Sequence, residues 1–322
     1  MKTNASAVAA LLLLGACGNA ATPTTAPIEA PPTLEAIEAE TSAINAWFEA
    51  KWRETVERSP MRKTFLGIKD GDYGKWDDPS MDAALADLEF QRGMVAQMRE
   101  TFDFDALDEQ AQLSWRIAEY QLERAEADWP FRYHGYTFNQ MFGVQSRIPA
   151  FMINQHRVAS SADAEAYLKR LEGLGDYLDG HVANTVASFE KGIQPPRFVY
   201  DYVISDARNV ISGFPFDGDP DTPSPLYEDF AGKIDALLAS GTLGQAEAMS
   251  FKMSAREDLT SIVGPAYQRM IDTLEAHAAE ASTDDGVWKL PDGGDYYAPR
   301  LAAQTTTDMT AEEIHDLGLS ET

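Results

Sequence analysis

Apolar residues recur every three or four positions along most of this chain, and almost nowhere in strict alternation. The clearest run spans Ser161 to Lys191. Tyr167, Leu171, Leu174, Leu178, Val182, Val186 and Phe189 form one helical stripe there, and Gly192 stands where a C-cap belongs. Upstream, Ile37, Ile44, Trp47, Phe48 and Val56 fall on one face of a helix that begins near Leu34. Asp78-Pro79 marks the next helix start, with Leu85, Leu88, Val95 and Phe102 behind it. Asp105 opens another, whose stripe carries Leu113, Ile117 and Tyr120. Further helices are predicted over Phe198 to Ser212, after the Ser224-Pro225 cap, and across Leu243 to Ala281, where Gly264-Pro265 kinks or splits the run.

Two stretches break the period. Trp129 to Pro149 is aromatic and contains glycine, and Phe214 to Pro225 is rich in proline, glycine and aspartate; both read as loops. Gly286 to Leu301, with its paired tyrosines, is the best extended segment. Beyond it, Thr310 and Glu313 make a capping box, and Ile314 and Leu317 begin an apolar face. The sequence stops at Thr322 without a glycine stop, a basic last turn or a following proline, so the pattern predicts a truncated chain. The expected fold is mostly α: a helical array in one domain over 34–322, truncated at its C-terminus, with a short extended segment near 286–301.

The N-terminus changes the picture. Lys2 supplies a small basic region, Ala5 to Leu14 a short apolar one, and Leu14-Gly-Ala-Cys17 places small residues before a cysteine. Roughly ten apolar residues are too few to span a bilayer, so residues 1–16 read as a signal peptide. The Leu-Gly-Ala-Cys stretch closely matches a bacterial lipobox, which implies lipidation of Cys17 and cleavage before it. Cys17 is the only cysteine, which excludes a disulfide within the chain. More than one acyl chain at that sulfur gives durable anchoring, each buried methylene contributing about 0.8 kcal/mol. Residues 17–33, rich in proline and threonine, form an extended tether. The expected location is the cell envelope, lipid-anchored, on the periplasmic face of the outer membrane, towards which Gly18 leans.

Charge narrows the partners. With 52 acidic and 26 basic residues the net charge is −26, which argues against nucleic acid as a ligand. No His-Glu-x-x-His helix, phosphate-binding loop or Gly-x-Ser-x-Gly elbow is present. Among the five histidines, His277 and Glu280 share a helical face but lack a third ligand. His156 lies among Met152, Ile153 and Val158 at a predicted helix start and reads as a hydrogen-bonded core-edge residue. His181 sits beside the stripe of the long helix. Acidic pairs such as Asp77-Asp78 and Asp284-Asp285 are expected by chance in so acidic a chain. No catalytic residue and no metal ligand is assigned.

Tyr296, Tyr297 and Arg300 are the better candidates for binding. In an extended segment the two phenols point to opposite faces, one to pack and one to meet a cleft, and Arg300 has the geometry to grip a carboxylate.

The stretch Gly286-Val-Trp-Lys-Leu-Pro-Asp-Gly-Gly-Asp-Tyr-Tyr-Ala-Pro-Arg-Leu301, followed by Thr305-Thr-Thr-Asp-Met-Thr-Ala-Glu-Glu-Ile-His-Asp-Leu-Gly-Leu319, resembles the domain-of-unknown-function 885 family. Phe65-Leu-Gly and Gly192-Ile-Gln-Pro-Pro agree with it, and the resemblance spans roughly residues 44–322. It implies a large bacterial protein, often a lipoprotein, with a helical fold similar to thermolysin-clan zinc peptidases. The family's His-Glu and Pro-Gly-His stretches belong to a C-terminal half this sequence does not contain. The resemblance therefore implies zinc and peptide hydrolysis only in the full-length protein, and none in this chain alone. It places Tyr296, Tyr297, Arg300 and His315 at the border of a peptide-binding cleft. The alternative is a non-enzymatic helical binding or scaffold lipoprotein.

Overall fold

A computed structural model describes residues 32–322. The signal peptide, Cys17 and nearly all of the tether lie outside the described residues. Twelve α-helices follow among them: α1 (Leu34–Glu57), α2 (Pro60–Phe65), α3 (Met81–Thr101), α4 (Glu109–Asp128), α5 (Val144–Asn154) and α6 (Ser161–Glu190), then α7 (Arg197–Val210), α8 (Pro225–Ala239), α9 (Gln245–Asp258), α10 (Gly264–Glu280), α11 (Gly293–Thr305) and α12 (Ala311–Ser320). The fold is mostly helical, and among the described residues there is no β-strand; the only extended pairing is an isolated bridge between Phe214 and Pro223. No described helix is long and apolar enough to cross a membrane.

Two apolar cores organise the helices. The larger surrounds α6, where Tyr167, Leu171, Leu174 and Leu178 are fully buried against α5 and α7 to α10. Val182, Val186 and Phe189, further along the same stripe, are only half-buried. Gly192 has φ +75°, the left-handed conformation expected just beyond a helix end. The smaller core joins α1, α3 and α4 through Ile44, Val95, Met98, Ala111, Trp115 and Ala118.

The α4 stripe differs from the expected one. Its buried face is Ala111, Trp115 and Ala118, whereas Leu113, Ile117 and Tyr120 are exposed, as is Leu85 on α3. Apolar residues occur all round α4, so period alone does not choose the buried face. The large indole of Trp115, packed edge-on to Phe104, decides it.

The loop predicted over Trp129 to Pro149 is shorter than expected, because Pro149 lies inside α5. A proline there cannot donate to the carbonyl of Gln145, four residues back. The Tyr267 hydroxyl of α10 donates to that oxygen instead, at 2.9 Å. The Gly264-Pro265 break is met by a π-helical turn over Leu259–Val263, directly before α10. There Gly264 lies so near the Phe216 ring that a Cβ would stand 3.2 Å from it.

The extended segment near 286–301 is not extended. A 3₁₀ turn (Val287–Lys289) leads into α11, which holds Tyr296, Tyr297 and Arg300. Tertiary contacts stabilise this helix despite its glycines and Pro299: Arg124 on α4 donates to the Pro299 carbonyl, and His134 bonds the Pro291 carbonyl at 3.0 Å. Asp292 (φ 55°) and Thr306 (φ 54°), the caps at its two ends, are the described non-glycine residues with left-handed backbones. The Thr310–Glu313 capping box of α12 is formed as expected.

Candidate functional site

The linker between α2 and α3 has no helix of its own, yet it is tightly held. Lys63 Nζ, almost wholly buried, meets the carboxylates of Glu57 (2.5 Å), Asp70 (2.9 Å) and Asp72 (2.8 Å). Hydrogen bonds and charge from Lys63, then Lys75, hold the Asp72 carboxyl down at about 2. Further along, Tyr73 Oη donates to the Arg157 carbonyl (2.8 Å) and Trp76 Nε1 to the Arg170 carbonyl (2.8 Å).

Arg170 anchors this linker from beneath. It is fully buried, and its guanidinium donates to the Lys75 carbonyl (3.1 Å), Thr64 Oγ1 (2.6 Å) and His156 Nδ1 (2.8 Å). A guanidinium only donates, so His156 Nδ1 accepts, and its Nε2–H is assigned to the Asp163 carbonyl at 3.1 Å. Burial, and then the Arg170 charge, depress the His156 pKa to about 3. Burial lowers Arg170 itself only to about 10, so it stays charged at neutral pH. His156 is thus a buried, hydrogen-bonded residue, as expected, but it lies between α5 and α6 rather than at a helix start.

The linker ends at Pro79, which rests on α6 at Gly180. A Cβ on Gly180 would lie 2.6 Å from Pro79 Cγ, so only glycine admits this approach. Asn184 Nδ2 donates to the Pro79 carbonyl (2.7 Å) and completes the seat. The neighbouring Asp77 is thereby delivered to the start of α2, where Ser59 Oγ (2.7 Å) and the Met61 amide (2.9 Å) donate to its two oxygens. Asp78 accepts from the Ser80 amide (2.8 Å) before α3. This acidic pair therefore serves as local caps.

Three open clefts meet at Asp77, along the seam between the two cores. One of about 620 Å³ runs between α2 and α5 and is lined by Arg62, Phe65, Arg147, Phe151 and Tyr177. A second, about 640 Å³, lies between the linker and α6 and contains Trp76, Asp176 and Asn184. The third, about 630 Å³, runs between α1, α3 and α4 past Arg58, Phe90 and Gln121. Tyr177 borders the first two clefts, and Ser59 and Arg62 border the first and third. Together they form one branched groove with aromatic walls: Trp76 stacks on Tyr177 (4.7 Å), and Phe65 packs edge-on to Phe151 (5.4 Å).

The residues expected to border a cleft lie elsewhere. Tyr296 stacks on His134 (4.8 Å), the Arg300 guanidinium lies over the Tyr296 ring at 5.2 Å, and Arg300 pairs with Asp128 at 3.3 Å. Tyr297 is 41% exposed. Tyr296 is thus the half-buried phenol and Tyr297 the exposed one, and a helix turn, not strand alternation, sets them apart. His315 is exposed on α12, apart from this cluster. His277 stacks face to face on Phe189 at 3.8 Å and is buried. His181 is packed edge-on to Tyr177. Among the described residues no three His, Cys, Asp or Glu side chains stand close enough to hold a metal ion.

Sequence reasoning missed the groove because its walls come from six separate helices and a linker. The signals present were Phe65-Leu-Gly, which contributes Phe65 to one wall, and the Asp77-Asp78 pair.

Residues 60–322 match the family described as "Bacterial protein of unknown function (DUF885)". The chain belongs to the DUF885 family. Among solved structures, it is similar to the crystal structure of a "putative lipoprotein" from Colwellia psychrerythraea, with TM-score 0.70 and 16% sequence identity. The similarity covers 88% of this chain and 49% of that one, so the DUF885 chain described here spans about half the length of that structure. At this identity the likeness is one of fold. No curated protein matches the chain.

Proposed function

We propose that this chain is the N-terminal portion of a lipid-anchored cell-envelope protein whose groove binds extended peptides. The observation that carries the reading is the branched groove at Asp77. Branched, open and walled by both aromatic and polar groups, it suits a polymer with a repeating polar backbone better than a compact metabolite. Residues 1–16 would be the signal peptide, Cys17 the lipidated first residue and 17–33 the tether, with 34–322 as one helical domain. The neighbour described as a lipoprotein supports the anchor. The acidic composition suits an extracytoplasmic compartment, and Gly18 after Cys17 leans towards the periplasmic face of the outer membrane.

The family resemblance further suggests a thermolysin-clan-like fold and zinc-dependent peptide hydrolysis in the intact protein. The described residues do not fit a zinc ion, since no three ligand side chains converge. No catalytic step is therefore assigned to this chain. In an intact enzyme the exposed Tyr297 is the phenol free to meet substrate, while Tyr296, held by His134 and Arg300, positions it. His315, exposed on α12 and apart from that cluster, would border the cleft only in the intact protein.

Protein extracted from native membranes tests both halves of the reading. Intact mass should show acylated Cys17 as the first residue. Peptide hydrolysis should vanish on chelation, return with zinc, and fall on Tyr297→Phe while stability stays within about 1 kcal/mol. Protein that binds peptides but cleaves none even when zinc is supplied would replace the enzyme with a scaffold, and a free Cys17 thiol would remove the anchor.

A further inference from the structure

The α2–α5 limb of the groove brings two unpaired arginines into one cleft, whereas exposed Arg157, also unpaired, lines none of the clefts. Acidic residues outnumber basic ones two to one, and many exposed arginines find carboxylates: Arg58 with Asp87, Arg99 with Glu119, Arg208 with Glu275, Arg269 with Asp179. Arg62 and Arg147 do not. Among the described residues neither side chain makes an ion pair, a hydrogen bond or a contact over an aromatic ring, and both line the same cleft of about 620 Å³. The one carboxylate in that cleft, Asp77, is already engaged by Ser59 Oγ and the Met61 amide. The Arg147 charge does reach into the wall, where it acts on Tyr177 and His181.

Much of the rest of that cleft's lining is apolar. Phe65 is 60% exposed although it packs on buried Phe151, and Met61 and Ile148 extend the same surface. An exposed phenylalanine beside two uncommitted guanidiniums is a pattern for a ligand that joins a carboxylate to an apolar group. The guanidinium fork matches carboxylate geometry and can donate to both oxygens at once.

We propose that Arg62 and Arg147 clamp a carboxylate of a bound peptide, with the adjoining apolar side chain seated on Phe65 and Phe151. The peptide character of the ligand rests on the groove reading above; the carboxylate preference rests on the arginines and requires no hydrolysis. The carboxylate belongs either to an acidic side chain or to the peptide's C-terminus, and both present the same two oxygens.

Fluorescence anisotropy on the full chain decides the matter, with four probes. An acetylated, amidated Phe-Glu-Leu peptide is compared with its Gln analogue and with a neutral acetyl-Phe-Ala-Leu peptide bearing either a free C-terminal carboxylate or an amide. At least one carboxylate probe should bind about tenfold or more tightly than its neutral counterpart, corresponding to about 1.4 kcal/mol. Whichever probe shows the gain identifies the source of the carboxylate. Arg62→Ala and Arg147→Ala should each remove most of that gain, and raised salt should weaken it. Both side chains are exposed, so the circular dichroism spectrum should not change. Equal binding of charged and neutral probes would overturn the clamp and leave the groove reading standing. Failure of all four to bind would remove the groove reading and the clamp with it. Retention of the carboxylate gain in the Arg62→Ala/Arg147→Ala protein would place the clamp elsewhere.

Discussion

The Tyr267 hydroxyl donates to the Gln145 carbonyl, the one acceptor that Pro149 leaves empty inside α5. Both ends of this bond are buried, and burial pushes the Tyr267 phenol far above its ordinary pKa, so it remains a donor at every accessible pH. The bond ties α10 to the helix that carries Arg147. Tyr267→Phe removes only the donor and leaves a buried carbonyl unpaired. The expected cost is about 1–3 kcal/mol, read from urea unfolding, and no loss would mean that water replaces the phenol.

Gly180 is the point where the linker seats on α6. Gly180→Ala would push Pro79 away and with it Asp77, the junction of the three clefts. We expect a loss of about 1–3 kcal/mol from overpacking, together with faster amide exchange at Met61, whose N–H bonds Asp77. Unchanged exchange at Met61 would show that the linker absorbs the methyl without moving Asp77.

Arg170 is buried without a carboxylate beside it, and three acceptors from distant parts of the chain depend on it. Arg170→Met fills much of the volume but strands those acceptors, at an expected cost of about 3 kcal/mol or more. Arg170→Lys should recover little, because one ammonium does not reproduce the three-way fork. Thermal unfolding of both variants checks this, and a lysine variant near wild type would refute it.

Two imidazoles should stay neutral far below their ordinary range. Burial and then Arg170 hold His156 at about 3, and burial and then Arg147 hold His181 at about 4. The unfolded chain takes up these protons near pH 6.5, whereas the folded chain does not. Both residues therefore contribute stability that is complete above pH 6.5 and declines as pH falls towards 4 and 3. Asp258, raised to about 6 by burial and then by Glu172, works in the opposite sense: it favours the fold as pH drops from 6 towards 3.8. Histidine ring resonances followed by NMR should show no titration of His156 or His181 above pH 5, and a midpoint near 6.5 for either would contradict this assignment.

The helical character was legible where period and caps agreed, as in α6 with its stripe and Gly192, or α12 with Thr310 and Glu313. Legibility failed where a distant residue supplied what the local pattern lacked. Pro149 reads as a helix stop, and only Tyr267, more than a hundred positions away, shows why α5 continues through it. The glycines and paired tyrosines of 286–301 read as extended until Arg124 and His134 are found holding the segment. The groove was invisible for the same reason: Ser59, Asp77, Arg147 and Tyr177 come together only through folding. Tyr296 and Arg300, four positions apart, meet only because the segment is helical, so the extended reading hides the pair.

The Lys63 hub and the Arg170 hub hold the same linker by contacts of very different sequence range. Lys63 gathers partners from Glu57 to Asp72, while Arg170 reaches back to Thr64 and Lys75. Closing the first loop costs little chain entropy, and closing the second costs more. The order of assembly follows: the linker takes shape around Lys63 first, and α6 arrives later to lock it. Substitutions at Asp70 or Asp72 should then slow refolding, whereas Arg170→Met should mainly hasten unfolding. The groove would accordingly be among the last parts of the molecule to become whole.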